Sequence, residues 1–202
     1  MKIFPKKKYN NKISFFKEYS KTKSEALDKL DYKLISKITD FLEIVIKNNK
    51  NIFVCGNGGS AAVANHFLCD FNKGIKVSSK NKKLPKVISL NSSNELITAI
   101  GNDLSFSQIF SHQIKNYANF GDCLITISCS GNSKNIIDVI KFAKKKNIKV
   151  ISLTGFQAKN KQKVDFHLDI GCKNYGICED IFQGIMHMMS QYMRQRFEIK
   201  NL

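Results

Sequence analysis

Residues 51–60 read NIFVCGNGGS, and residues 123–133 read CLITISCSGNS. Each is a short apolar run that ends abruptly in glycine, asparagine and serine. Each leads into a helical stretch, Ala61 to about Lys73 after the first and Lys134 to Lys146 after the second. A strand that is apolar on both faces belongs in a parallel sheet covered on both sides. These two stretches therefore put the chain in the α/β class.

The same alternation continues on either side. Apolar spacing predicts helices over 12–31 and, more strongly, over 32–49, where Leu34, Ile35, Ile38, Phe41, Leu42, Val45 and Ile46 fall on one face. Further strands are predicted over 86–90, 150–153 and 166–170. Further helices are predicted over 94–100, 106–117 and 177–197, and Ser60 is the predicted N-cap of the helix after the first loop. No low-complexity linker divides the chain. Residues 1–50 read as an N-terminal helical extension, packing on the domain and on an oligomer interface, and 51–202 as the binding domain.

In an open parallel sheet, ligands bind beyond the carboxyl ends of the strands. Both glycine–serine loops lie at that edge. Glycines let backbone approach a ligand, and the helix start that follows offers unpaired N–H groups and a positive dipole end. Ser128, Ser130 and Ser133 add hydroxyl donors, and neither loop contains lysine or arginine. Such a site suits a phosphate monoester. Glycine, asparagine and serine also make ordinary turns and caps, but two such loops in equivalent positions favour anion binding. Neither loop is a Gly-Lys-Ser/Thr phosphate loop or a Gly-x-Gly-x-x-Gly fingerprint, so no nucleotide cofactor is expected.

Composition excludes more than it assigns. The chain of 202 residues has no apolar run of membrane-spanning length and no signal-peptide pattern, so a cytoplasmic protein that does not enter membranes is expected. The six cysteines contain no Cys-x-x-Cys pair and read as reduced packing residues. The net charge of +17 is spread along the chain in short runs such as Lys6–Lys8, Lys80–Lys83 and Lys144–Lys146. Without a reading motif it does not argue for a nucleic-acid partner, although it would help attract a phosphorylated substrate.

The stretches CGNGGSAAVANHFLCDF (55–71), AIGND (99–103), ISCSGNSKNII (127–137), VISLTG (150–155) and NYGICEDIFQGIMHMMSQY (174–192) resemble the SIS-domain family of sugar isomerases and sugar-phosphate binders. More closely they resemble its phosphoheptose isomerase branch, which converts sedoheptulose 7-phosphate to a heptose phosphate for surface-polysaccharide synthesis. The resemblance covers nearly the whole chain, and the paired loops are more specific for the domain than for the sugar. It implies a five-stranded parallel sheet flanked by helices, in a flavodoxin-like three-layer arrangement, assembled as a homotetramer. It implies that Ser60, Ser128, Ser130 and Ser133 hold the phosphate, that Asn57 and Asp103 contact sugar hydroxyls, and that Gly58 and Gly59 belong to the same substrate-binding set. It further implies Asp70 and His187 as the catalytic pair, and His66, Asp70, Glu179 and His187 as positions that hold zinc in some members. This sequence departs from the isomerase pattern at Asp70, where glutamate is usual, and at Glu179, where glutamine is usual. With both changes the chain looks more like a subgroup of SIS proteins from surface-sugar gene clusters than like the standard enzyme.

The helical spacing is compatible with these roles. His66 and Asp70 differ by about 40° around a helix, and Glu179 and His187 by about 80°. Two imidazoles and two carboxylates that converge suit a metal or an acid–base pair. His187 also sits among Ile185, Met186, Met188 and Met189, which read as a packing or oligomer seam. His112 and His167 read as structural or surface residues, and Asp180 as a solvated helix residue. The alternative to an isomerase is a non-catalytic sugar-phosphate-binding or regulatory protein. Relatives of that kind tend to lose the last-helix histidine, which this chain keeps.

Overall fold

A computed structural model describes residues 1–75, 84–156, 158 and 164–198. The Lys80–Lys83 run lies outside them. Strands β2 (Asn51–Gly56), β3 (Lys86–Ser89), β4 (Cys123–Ser128), β5 (Lys149–Thr154) and β6 (Phe166–Asp169) form one parallel sheet in the order β3-β2-β4-β5-β6. This order reverses between β2 and β4, so the switch point lies between the two strands that opened the sequence reading.

The strands explain their own apolar runs. Ile52 and Val54 of β2 point into one core, whereas Phe53 and Cys55 point into the other. Likewise Ile125 and Ile127 of β4 face the first core and Leu124 the second. The first core is closed by α1 (Lys12–Leu27), α2 (Tyr32–Lys47), α3 (Gly59–Cys69) and α7 (Tyr175–Glu198). The second is closed by α4 (Asn94–Asp103), α5 (Ser111–Tyr117) and α6 (Lys134–Lys145). Ile38, Leu42, Val45 and Ile46 of α2 are buried in the same core as the sheet, so the N-terminal helices are built into the domain's packing. At its start, α7 is tied to α1: the Tyr19 hydroxyl donates to Asp180 at 2.9 Å and Lys23 pairs with the same carboxylate at 3.2 Å. Burial, with that carboxylate beside it, pushes the Tyr19 hydroxyl up to about 12. Asp180 is thus a tether between helices, not merely a solvated residue.

Several local readings need correction. Gly58, with φ 54°, is the N-cap of α3, and Ser60 lies one residue inside the helix. A φ of that sign is open to glycine and strained for other residues. The α-helical ladder stops at Cys69, and Asp70–Ile75 continue as a π-helical turn, a rare widening often found at functional sites. The predicted helix over 106–117 is a 3-10 turn, Phe106–Gln108, followed by α5. A small second sheet pairs β1 (Lys2–Ile3) with β7 (Cys172–Lys173); two-residue strands carry no periodic signal. Burial pushes the Cys55 and Cys123 thiols up, as suits inert packing residues. Met186 and Met189 are buried whereas Met188 is exposed, so the methionines divide between core and surface.

Candidate functional site

The loops after β2 and β4 meet at the switch point. Asn91 clamps the first: its amide accepts from the Gly56 N–H at 3.0 Å and donates to the Gly56 carbonyl at 2.9 Å. The buried Asn135 joins the two loops. Its side-chain amide and that of Asn57 each donate to the other at 2.9 Å. In the second loop Gly131 has φ 63°, and its N–H donates to both the Ser128 carbonyl and the Ser128 hydroxyl at 3.1 Å. A Cβ at Gly131 would collide with Ala158. Asn91 and Asn135 were not singled out from the sequence. Asparagines beside the turns were the only signal, and turns are full of them.

This scaffold encloses a cavity of about 100 Å³ lined by Ser60, Ser128, Ser130, Ser133 and Asn57. Cys129, Tyr175 and Glu179 complete its wall. Such a volume is well below the roughly 300 Å³ at which pockets for whole drug-sized ligands begin; it suits one small group. Ser60 stands in the first turn of α3, and Ser133 caps α6 without using its hydroxyl as a cap. Two helix N-termini and four hydroxyls therefore converge on an anion-sized space. A larger cavity of about 480 Å³ shares Asn57 and Ser133 and is bordered by Gly58 and Lys134. Asp103 lines neither cavity: it is exposed at the end of α4 and accepts from the Asn102 amide at 2.9 Å. The Glu179 carboxylate packs over Gly59, where a Cβ would collide with it. Burial holds the Glu179 carboxyl above the usual carboxylate range, opposed by the Ser60 N–H and hydroxyl.

A second group of side chains lies further along the seam where α3 and α7 pack together. His66 Nε2 is 3.3 Å from Asp70 Oδ1, and His187 Nε2 is 3.3 Å from Asp70 Oδ2. The two imidazole Nε2 atoms are 3.2 Å apart. Gln183, one turn before His187 and not anticipated from the sequence, places its amide nitrogen 2.9 Å from His187 Nε2. The ligand atoms of His66, Asp70 and His187 all lie within 4.8 Å of one another. Glu179 is not among them. The expected fourth member faces the serine pocket instead.

Two imidazole nitrogens and a carboxylate oxygen form a donor set suited to a borderline divalent cation. Asp70 Oδ2 is buried and makes no hydrogen bond, although His187 Nε2 stands near it. Three protein donors are the number found in catalytic rather than structural zinc sites. The same three groups also have the chemistry of an acid–base pair with a neighbouring histidine. A cavity of about 190 Å³, lined by Asp70, His187, Ser190 and Arg194 among others, opens beside them.

Residues 14–155 match the sequence profile of the SIS domain. The phosphoheptose isomerase of Clostridium acetobutylicum is 38% identical over 161 residues, covering 77% of this chain and 81% of that protein. That of Campylobacter concisus is 46% identical over 110 residues, covering 54% of this chain and 57% of that protein. The solved phosphoheptose isomerase of Neisseria gonorrhoeae superposes with a TM-score of 0.79 at 28% identity, covering 91% of this chain and 96% of that one.

Proposed function

Since the chain belongs to the SIS-domain family, we propose that it is an aldose–ketose isomerase of sugar phosphates, acting on sedoheptulose 7-phosphate to give a heptose 7-phosphate for lipopolysaccharide or capsule precursors. One observation carries this reading. The serine pocket and the His66/Asp70/His187 cluster lie in order along the same two helices, with Ser60 facing Glu179 and His66 facing His187. Ser60 and His66 are six residues apart, roughly 9 Å of helix. That interval suits an extended sugar chain with its phosphate at one end and its carbonyl at the other. The phosphoheptose isomerase name of the relatives points to the same substrate.

The serine hydroxyls and helix N-termini hold the phosphate, and Asn57 orients the chain from the rim. Asp103 would reach a sugar hydroxyl only from outside the two loop cavities. Isomerisation moves a proton between adjacent carbons through an enediol, so it needs a base at carbon and an acid at oxygen. Asp70 takes the carbon-bound proton. His187, hydrogen-bonded to Gln183 and facing Asp70, carries a proton to and from the carbonyl and hydroxyl oxygens. His66 orients both. Asp70 is one methylene shorter than the glutamate usual in the family, and the π-helical turn that begins at this residue sets where the shorter side chain delivers its oxygens.

His66, Asp70 and His187 would hold a zinc ion, with Glu179 as a fourth donor only after it leaves the serine pocket. When bound, such an ion would polarise the carbonyl as a Lewis acid. The working protein is a cytoplasmic homo-oligomer, a tetramer by family likeness. Ile13, Phe16, Tyr32, Met188 and Tyr192 support the association, being exposed apolar side chains on α1, α2 and α7.

The test is NMR of the purified protein with sedoheptulose 7-phosphate in deuterated buffer. Deuterium should enter at the carbon next to the carbonyl as the aldose forms. Binding without exchange, with or without zinc, would sink the isomerase and leave a sugar-phosphate-binding protein.

A further inference from the structure

The wall of the serine pocket already carries an anion of the protein's own. Glu179 lines it with Ser60, Ser128, Ser130 and Ser133. Its carboxylate sits against the first turn of α3, so close to Gly59 that a Cβ there would have to push it aside. It thereby takes the positive end of the helix, which a phosphate ester would use. The free space of about 100 Å³ lies directly against this carboxylate, so a phosphate drawn to the same Ser60 N–H and hydroxyl is pressed against a like charge. In a partly desolvated site that repulsion is far larger than in water.

We propose that Glu179 is a displaceable stand-in for the phosphate: its carboxylate holds the serine pocket in the free protein, and a phosphomonoester binds by driving it out. The side chain has somewhere to go, because Glu179 is only half-buried and sits in the first turns of α7. Glutamine has the same shape without the charge, so it would keep the wall and remove the competitor. The carboxylate therefore sets a threshold on occupancy, and inorganic phosphate alone binds weakly. The inference rests on the serine pocket being the phosphate site, and the experiment separates the two.

Binding of inorganic phosphate and of sedoheptulose 7-phosphate is measured by calorimetry, in chelator-treated buffer, for the wild type, Glu179→Gln and Ser130→Ala. Glu179→Gln should bind both ligands about tenfold more tightly, one factor of ten for each ~1.4 kcal/mol of repulsion removed. Ser130→Ala should weaken both. Equal or weaker binding by Glu179→Gln, with Ser130→Ala still weakened, overturns the displacement and leaves the pocket standing. Unchanged binding by Ser130→Ala and Glu179→Gln alike overturns both. In the wild type labelled with ¹³C at glutamate carboxyls, the Glu179 signal should shift as phosphate saturates, and a stationary signal overturns the displacement independently of any variant.

Discussion

The serine pocket and the His66/Asp70/His187 cluster share α3 and α7, but they take their donors from different levels of structure. The pocket is made where two strands end and two helices begin. Its serines are placed by turns a few residues long, and Asn91 and Asn135 lock those turns together. The cluster is made at the end of α3 and halfway along α7, and His66 and His187 are 121 positions apart in the chain. Nothing local holds them in register. Their approach depends on Phe67, Phe71, Phe182 and Met186, all fully buried between the helices and the sheet. A site of the first kind tolerates small shifts in packing, whereas a site of the second kind is only as good as the core beneath it.

Breaking the cluster should have the largest consequence. His187→Ala is expected to lower turnover of sedoheptulose 7-phosphate by about 10²–10⁴-fold, the usual worth of a general acid or base. Phosphate affinity should be nearly unchanged, and a comparison of turnover with calorimetry separates the two. His66→Ala should weaken cobalt or zinc binding by at least about 100-fold, since losing even an outer-shell partner of a metal ligand costs about 10–100-fold. A spectroscopic cobalt titration reads this without any turnover, and an unchanged titration would mean that the three side chains are an acid–base group only.

Disturbing the pocket should do less, and in the opposite pattern. Ser130→Ala removes one of several donors to an anion, so a rise in KM of about tenfold is expected, equivalent to ~1.4 kcal/mol. The cobalt titration should not move. If Ser130→Ala lowered kcat and cobalt affinity together, the two regions would be one coupled site rather than neighbours on a seam.

The smallest effect should come from the far edge of the sheet, which serves as a control. Asp165 accepts from the Val150 N–H at 2.9 Å and pairs with Lys149 at 2.9 Å and Lys144 at 3.0 Å. Burial acts to raise its carboxyl, but these donors prevail and hold it below the usual range. A depressed carboxylate contributes stability above its unfolded value near 4 and loses it as pH falls through the folded value. Asp165→Asn should therefore cost about 1 kcal/mol at neutral pH, and the difference should close in melts taken below about pH 4. Activity per folded molecule should be unaffected.

How much of this was legible beforehand follows the same division. Strand ends, turn residues and helix starts are local, so residues 51–60 and 123–133 disclosed both the sheet and the place where the serines gather. The pairing of His66 with Asp70 was equally local, being one helical turn. Glu179 was not. Counting angles around a helix put it on the side of His187, but eight residues are also about 12 Å of rise. That rise is enough to carry its carboxylate from one site into the other. Asp103 was assigned from the family pattern alone, and no spacing rule could show that the end of α4 holds it away from the loop cavities.

By itself, the sequence determined the α/β alternation, the position of the two loops at strand ends, and the chemistry of their donors. These follow from periodicity and from the few conformations open to glycine and serine. Only the tertiary structure decided that α3 and α7 lie side by side with Ser60 facing Glu179 and His66 facing His187. It also decided that a π-helical turn begins at Asp70. The register of two packed helices is set by how Phe67, Ile181, Phe182 and Ile185 fill a shared core. That is a property of volumes summed over distant segments, and no window of sequence contains it.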